Sequence, residues 1–372
     1  MTVLGIETSC DETAIAVLDI KDMEHVSVRA NVVSSQIALH AKFGGVVPNL
    51  AAREHANNIG HVLEAALKEA KISDIGKKVD LIAVTRGPGL GPALLVGIAF
   101  AKALAWKYDK PLVGADHMRA HVYSNWLPDS AGKLISLQAS KRFPILNLIV
   151  SGGHTELVLM DGYENFKLIG ETMDDAVGEA FDKVARLLGL GYPGGPAISR
   201  RAEKWKSEAR LRPELRPRGN PKFKIKFPRP MEKSKNYNFS FSGLKTAVLY
   251  KIQDLKEAGI EITDDIKDQL CFEFQRSAVD VLVQKTIRAA QEHGAKTILL
   301  SGGVSANSLL RTELSKAAAD SGLAYGQPLL TYTGDNAAMI GLAGYAAQKY
   351  GKADTDWQSV DMDANLFIAT SN

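Results

Sequence analysis

His117-Met118-Arg119-Ala120-His121 places two imidazoles four residues apart. On a helix this spacing puts both rings on one face, within reach of one cation. Helix surfaces also carry such pairs without any ion, so the spacing alone leaves both readings open. A zinc peptidase needs a glutamate directly after the first histidine as general base, and Met118 stands there instead. Any third ligand has to come from elsewhere in the chain. Asp335, in Thr333-Gly334-Asp335-Asn336, opens a helix near the C-terminal end. Two imidazoles and one carboxylate leave coordination positions free, which suits Fe(II) or Zn acting as a Lewis acid.

Two glycine turns follow apolar runs, Ser151-Gly152-Gly153-His154-Thr155 and Ser301-Gly302-Gly303-Val304-Ser305-Ala306-Asn307. Adjacent glycines let backbone N–H groups converge on an anion, and a helix after the second turn adds its N-terminal dipole. A Gly-Gly pair also serves simply as a tight turn; two at equivalent places point to a nucleotide. A third cluster, Gly189 to Pro196, follows Phe181-Asp182-Lys183. From the residues alone it reads as loop punctuation, with Asp182 a solvated helix carboxylate. The chain has no GxxxxGK[ST] loop, and no GxGxxG follows its first strand, so neither a P-loop nor a Rossmann dinucleotide site is supported. The early turn Thr8-Ser9-Cys10-Asp11-Glu12 carries two carboxylates able to take a proton or only to bond backbone. Cys10 reads as a small buried residue, because no general base adjoins it in sequence.

The elements around these residues alternate between the two periods. Val3 to Glu7 and Thr13 to Asp19 form a strand pair around the first turn, and Ile145 to Val150 and Thr155 to Met160 repeat that plan around the second. Helical spacing marks Leu50 to Ala70, Ala93 to Lys107, Ala176 to Leu188, Leu244 to Glu257, Thr263 to His293, Asn307 to Ala319 and Asn336 to Tyr350. Strands are expected at Leu81 to Thr85, Pro111 to Ala115 and Thr297 to Leu300. This alternation predicts a duplicated α/β fold of mixed sheets covered by helices. The expected division is an N-terminal lobe over 1–125, a polar connector over 126–142, a C-terminal lobe over 143–350 and a tail over 351–372.

Composition sets the outer bounds. At 372 residues, 45% hydrophobic and 23% charged, the chain has the make-up of a folded globular protein, which excludes disordered and fibrous classes. Two cysteines cannot build a disulfide framework, and the start reaches Glu7 too early for a signal-peptide core. No apolar run is long enough to span a membrane. A cytoplasmic protein is expected. Net charge is only +3, yet Arg200 to Lys235 holds 14 Lys/Arg, four Glu and five prolines, leaving the rest of the chain at −7. This local basicity makes the segment the expected contact for nucleic-acid phosphate, against the plainer reading of solvated surface charge.

The motifs that carry a resemblance run in one order: Ile6 to Thr13, His117 to His121, Val150 to Thr155, Asp174 to Lys183, Tyr192 to Pro196, Phe239 to Thr246 and Ser301 to Asn307. So ordered, the chain resembles the TsaD family of tRNA threonylcarbamoyladenosine transferases, bacterial branch, from Val3 to about Tyr350. The resemblance implies a two-lobed fold like actin, Hsp70 and sugar kinases. It implies transfer of threonylcarbamoyl from threonylcarbamoyl-AMP to N6 of the adenosine 3′ of the anticodon in tRNAs reading ANN codons. It implies His117, His121 and Asp335 as ligands of one divalent Fe(II) or Zn. It further implies Ser151, Gly152, Gly153, His154, Thr155, Asp182, Gly195 and Asn307 as the residues holding the adenylate, with TsaB-like and TsaE-like proteins as partners. Asp11 or Glu12 would then accept the proton of the attacking amine or shape the site. The competing readings are an ATPase or phosphotransferase of the same fold and a non-catalytic scaffold paralogue.

Overall fold

Val3-Leu4-Gly5-Ile6 and Ala14-Ile15-Ala16-Val17-Leu18 have no exposed position. Strands apolar on both faces belong at the centre of a sheet covered on both sides. The computed structural model, which describes residues 1–129, 143–211, 225–351 and 353–368, places them there. Along the chain come β1 (Thr2–Glu7), β2 (Glu12–Asp22), β3 (His25–Ser35), α1 (Ile37–His40), α2 (Pro48–Glu69), α3 (Ile75–Lys78), β4 (Leu81–Gly87), α4 (Gly91–Tyr108), β5 (Leu112–Asp116) and α5 (His117–Tyr123). Then follow β6 (Ile145–Val150), β7 (Thr155–Gly162), β8 (Asn165–Glu171), α6 (Val177–Leu187), α7 (Gly194–Leu211), α8 (Ser242–Glu257), α9 (Asp264–Glu292), β9 (Thr297–Ser301), α10 (Ser308–Asp320), β10 (Ala324–Gly326) and α11 (Ala337–Lys349).

The first sheet has the order β3-β2-β1-β4-β5 and the second β8-β7-β6-β9-β10. In each, the first three strands form an antiparallel meander and the last two run parallel to the first strand. One topology is therefore used twice, as the actin-like duplicated fold requires. Alternate residues of β1 serve different layers. Leu4 and Ile6 pack with Ile59, Val62 and Ala66 of α2 and Ile98 and Ala101 of α4. Val3 faces the opposite way, into a core shared with α5, α11 and the inner face of the second sheet. The outer face of the second sheet is covered by α6, α8, α9 and α10.

α11 lies across β1, β2, β4 and β5 of the first sheet, although more than two hundred residues separate it from them in the chain. Gly5 permits this approach, since a Cβ there would come within 2.2 Å of the Ala337 carbonyl oxygen. The last helix thus completes the first layer, and it brings Asp335 with it.

Several elements depart from the sequence expectation. β3 and β8 are edge strands of mixed burial, and their alternating polar residues give a weak apolar signal. Trp126, at the head of the expected polar connector, is fully buried against Tyr123 and Tyr163. Residues 130–142 of that connector lie outside the described residues, as do 212–224 of the basic segment. The start of the basic segment is the helix α7, packed on α9. There Arg201 pairs with Asp264 and Asp268, Lys204 pairs with Asp268 at 2.8 Å, and farther on Arg229 pairs with Asp280 at 2.6 Å. These three cations of the segment are engaged within the fold.

Candidate active site

Asp116, the last residue of β5, starts α5 by accepting the Met118 and Arg119 amides at 2.8 and 3.0 Å. A carboxylate there satisfies two otherwise unpaired helix N–H groups. The turn begins at the carboxyl end of a parallel strand, and its i, i+4 face carries His117 and His121. Asp335, in the loop ahead of α11, places Oδ1 3.4 Å from His117 Nε2 and 3.3 Å from His121 Nε2. One ligand atom from each of these three residues lies within 4.8 Å of the others.

Behind His117 stands Glu7, fully buried at the end of β1, with Oε2 3.0 Å from His117 Nδ1. The same oxygen accepts from Thr85 Oγ1 at 2.7 Å, and Oε1 accepts the Ser9 amide. Burial opposes protonation of His117, but Asp335 and Glu7 outweigh it and hold the imidazole well above its usual value. Burial likewise pushes the Asp335 carboxyl up, and the two imidazoles outweigh it and hold the group well below the ordinary carboxylate range. Each partner is thus drawn toward its charged form. The donor set fits a divalent cation: two Nε2 atoms and a carboxylate oxygen converge, Glu7 orients the first ring through its other nitrogen, and the buried His121 Nδ1 has no protein partner among the described residues.

Two turns converge on this triad. In the first, Asp11 is nearly buried and its Oδ2 has no hydrogen-bond partner among the described residues. Burial, then Asp335 and Asp11, push Glu12 up to about 9. In the second, burial, then His117 and His121, push His154 down to about 4, which keeps its ring neutral at physiological pH. The His154 amide donates to Ser151 Oγ at 3.0 Å, closing the glycine turn. Thr155 is turned inward, its hydroxyl accepting the Val177 amide at 2.9 Å at the start of α6.

A cavity of about 420 Å³ includes Gly152, Asp182, Gly195, Gly303 and Asn307 in its wall. Asp182 accepts the Gly194 amide at 2.6 Å and so fixes the start of α7. Asn307 caps α10 through the Leu310 amide at 3.0 Å, and its own amide donates to Ser199 and Gln275 at 3.0 and 2.8 Å. Gly302, with φ of +87°, brings the second glycine turn against β6, where a Cβ would lie 2.3 Å from the Val150 carbonyl oxygen. Nothing stands within 4 Å of a Cβ built on Gly195, so that position opens into free space.

The family model for TsaD, tRNA N6-adenosine threonylcarbamoyltransferase, matches residues 27–342. The tRNA N6-adenosine threonylcarbamoyltransferase of Thermosipho melanesiensis is 47% identical over 345 residues, covering 93% of this chain and 94% of that protein. The Bacillus cereus protein of that name is 46% identical over 354 residues, covering 95% of this chain and 93% of its own. The chain belongs to the TsaD family. It forms threonylcarbamoyladenosine in tRNA, and tRNA is its substrate. In fold it is similar to T. kodakarensis HypF, with a TM-score of 0.60 at 13% identity, over 96% of this chain and 49% of that one. The motif residues are scattered over both halves of the sequence, and His117, His121, Asp335, His154, Asp11 and Glu12 gather at one place in the fold. Glu7, hydrogen-bonded to His117 behind this cluster, was not singled out from the sequence. Its signal was an acidic residue closing an otherwise apolar strand, at the carboxyl end where open α/β sheets hold their ligands. No helix among the described residues of this TsaD protein is long and apolar enough to cross a membrane.

Proposed function

We propose that the threonylcarbamoyl donor is threonylcarbamoyl-AMP and that the acceptor is N6 of the adenosine directly 3′ of the anticodon in tRNAs reading ANN codons. The observation that carries this reading is the adjacency of a nucleotide-sized cavity to a His-His-carboxylate triad, joined through the Gly152 to His154 turn. The adenylate would lie along Ser151, Gly152, Gly153 and His154. Asp182, steadied by the Gly194 amide, keeps lone pairs for a ribose hydroxyl. Gly195 leaves room for the nucleoside, and Asn307 shapes the far wall while locked by Ser199 and Gln275.

An exocyclic adenine amine is a weak nucleophile, because its lone pair is delocalised into the ring. When His117, His121 and Asp335 hold Fe(II) or Zn, the ion supplies Lewis acidity toward the carbamoyl oxygen. The backbone amides of the glycine turn offset the charge that collects on the departing phosphate. As the N6–carbamoyl bond forms and the bond to the phosphate oxygen breaks, the amine proton passes to Asp11, whose Oδ2 no protein donor occupies among the described residues. Glu12, drawn toward its neutral form by the same neighbourhood, shapes the turn. The neutral His154 ring excludes water from the carbonyl without adding charge.

The reaction would take place in the cytoplasm, with TsaB-like and TsaE-like proteins as partners, and the basic stretch around Lys222, Lys224 and Lys226 would contact tRNA phosphates. The test is transfer from purified threonylcarbamoyl-AMP to tRNA by metal-loaded protein, with and without those partners, read as modified nucleoside after digestion. Modification confined to the adenosine 3′ of the anticodon is expected; modification at another adenosine, or none under any of these conditions, overturns the reading.

A further inference from the structure

Two fully buried histidines outside the triad are joined by a hydrogen-bonded chain that ends on the Cys10 to Glu12 turn. His55, on α2, places Nε2 3.1 Å from the Cys10 carbonyl oxygen and Nδ1 2.8 Å from Thr13 Oγ1. Gln36 Nε2 donates to His55 Nδ1 at 3.3 Å and to the Ala51 carbonyl at 3.3 Å. Gln36 Oε1 faces His40 Nε2 at 3.1 Å, and His40 Nδ1 accepts the Val47 amide at 3.3 Å. The Gln36 amide in turn donates to the Asp11 carbonyl oxygen at 2.8 Å.

Groups with only one hydrogen-bonding role stand at three points of the chain and set every proton in it. Carbonyls at Cys10 and Ala51 can only accept, so His55 carries its proton on Nε2 and the Gln36 NH2 faces Ala51. The Val47 amide can only donate, so His40 accepts at Nδ1 and donates from Nε2 to Gln36. Both rings are therefore neutral Nε2–H tautomers, and the bonds run in one direction from Val47 to Cys10. His40 and His55 are fully buried and Gln36 nearly so, with no side-chain atom of the three left unpaired. A buried polar network satisfied to this degree rigidifies what it touches. Its outer end lies in the loop whose Gly44 carbonyl accepts from Arg186 on α6 at 2.5 Å, the helix that also carries Asp182.

We propose that His55 is a positioning residue of the transfer reaction: through its bond to the Cys10 carbonyl, in the proton order set by His40 and Gln36, it holds the Asp11 and Glu12 carboxylates in register with the metal triad. This rests on the reading that gives Asp11 the amine proton. The relay touches no ligand atom of the triad and lines no part of the nucleotide cavity. Its loss should therefore slow the chemical step and spare donor binding.

The test is single-turnover transfer from threonylcarbamoyl-AMP to tRNA by the full-length, metal-loaded protein, alongside equilibrium binding of the donor. His55→Leu should lower the rate by at least about 10-fold, as expected when a reacting group shifts by about an ångström, while donor Kd stays within about 2-fold. A glutamine nitrogen can replace Nε2 whereas an asparagine is too short to reach Cys10. His55→Gln should therefore restore the rate to within about 3-fold of the parent and His55→Asn should not. Equal rates for the Gln and Asn variants overturn the proposal, and this comparison decides the matter if the Leu variant fails to fold. In the unaltered protein, ¹⁵N shifts of the His40 and His55 rings should report neutral Nε2–H tautomers at pH 7; an Nδ1–H tautomer or an imidazolium at either overturns the proton order. Asp11→Asn separates the two levels: full activity there removes the catalytic reading of the turn, whereas an impaired Asp11→Asn beside an unimpaired His55→Leu removes the positioning role alone.

Discussion

Glu7 Oε2 lies 3.0 Å from His117 Nδ1, across 110 residues of chain. The contact joins the end of β1 to the start of α5 and turns His117 Nε2 toward His121 and Asp335. Removing the charge while keeping the shape, as in Glu7→Gln, should weaken metal affinity by about 10- to 100-fold. Competition with a chromogenic chelator measures it. Undiminished affinity would show that Glu7 serves only the fold.

The triad itself predicts about one Fe or Zn per chain by elemental analysis. The double variant His117→Ala, His121→Ala should lose that metal and its activity while keeping its secondary structure. Metal retained at the parental level would remove these residues as ligands.

Gly195→Trp should abolish binding of a non-hydrolysable adenylate analogue, because the new side chain would enter the space now open at that position. Calorimetric titration reads this directly. Parental affinity would place the nucleoside elsewhere in the cleft.

Glu156 should make stability fall as pH rises. Burial, then Asp116 and Glu171, push its carboxyl up to about 7, and its Oε2 has no hydrogen-bond partner among the described residues. Because the folded state holds this proton more tightly than the unfolded chain, the cost is absent below the unfolded value of roughly 4.5. It grows as pH rises from there to about 7, and is then fully present. The stability of Glu156→Gln relative to the parent should therefore improve by about 3 kcal/mol between pH 4.5 and pH 8, in urea unfolding at the two pH values. A difference that stays constant with pH would show that Glu156 titrates alike in both states.

The basic segment should divide by structural role. Arg201→Glu confronts the fully buried Asp268 and should lower the thermal midpoint with little change in the salt dependence of tRNA binding. Charge reversal at Lys222, Lys224 and Lys226 should instead weaken tRNA binding, flattening the log–log salt slope by roughly 0.7 to 0.9 per lost contact. An unchanged slope in that triple variant would move the tRNA surface to the rim of the cleft or to a partner.

By itself the sequence determined whatever depends on near neighbours. The i, i+4 spacing of His117 and His121 places both rings on one face of any helix built there. The glycine pairs after β6 and β9 mark turns, and the apolar runs of β1, β2, β6 and β7 mark central strands, because periodicity and turn chemistry act over a few residues. The motif order also declared the family. Only the tertiary structure decided which of these elements meet. α11 crosses back onto the first sheet because Gly5 lets its backbone approach, and this places Asp335 against the two histidines. The end of an apolar strand marked Glu7, but its pairing with His117, like that of His55 with the first turn, was not legible for the same reason: the partners stand 110 and 45 residues away. No local pattern encodes such contacts, which exist only once burial has packed the layers and each enclosed polar atom has had to find a partner.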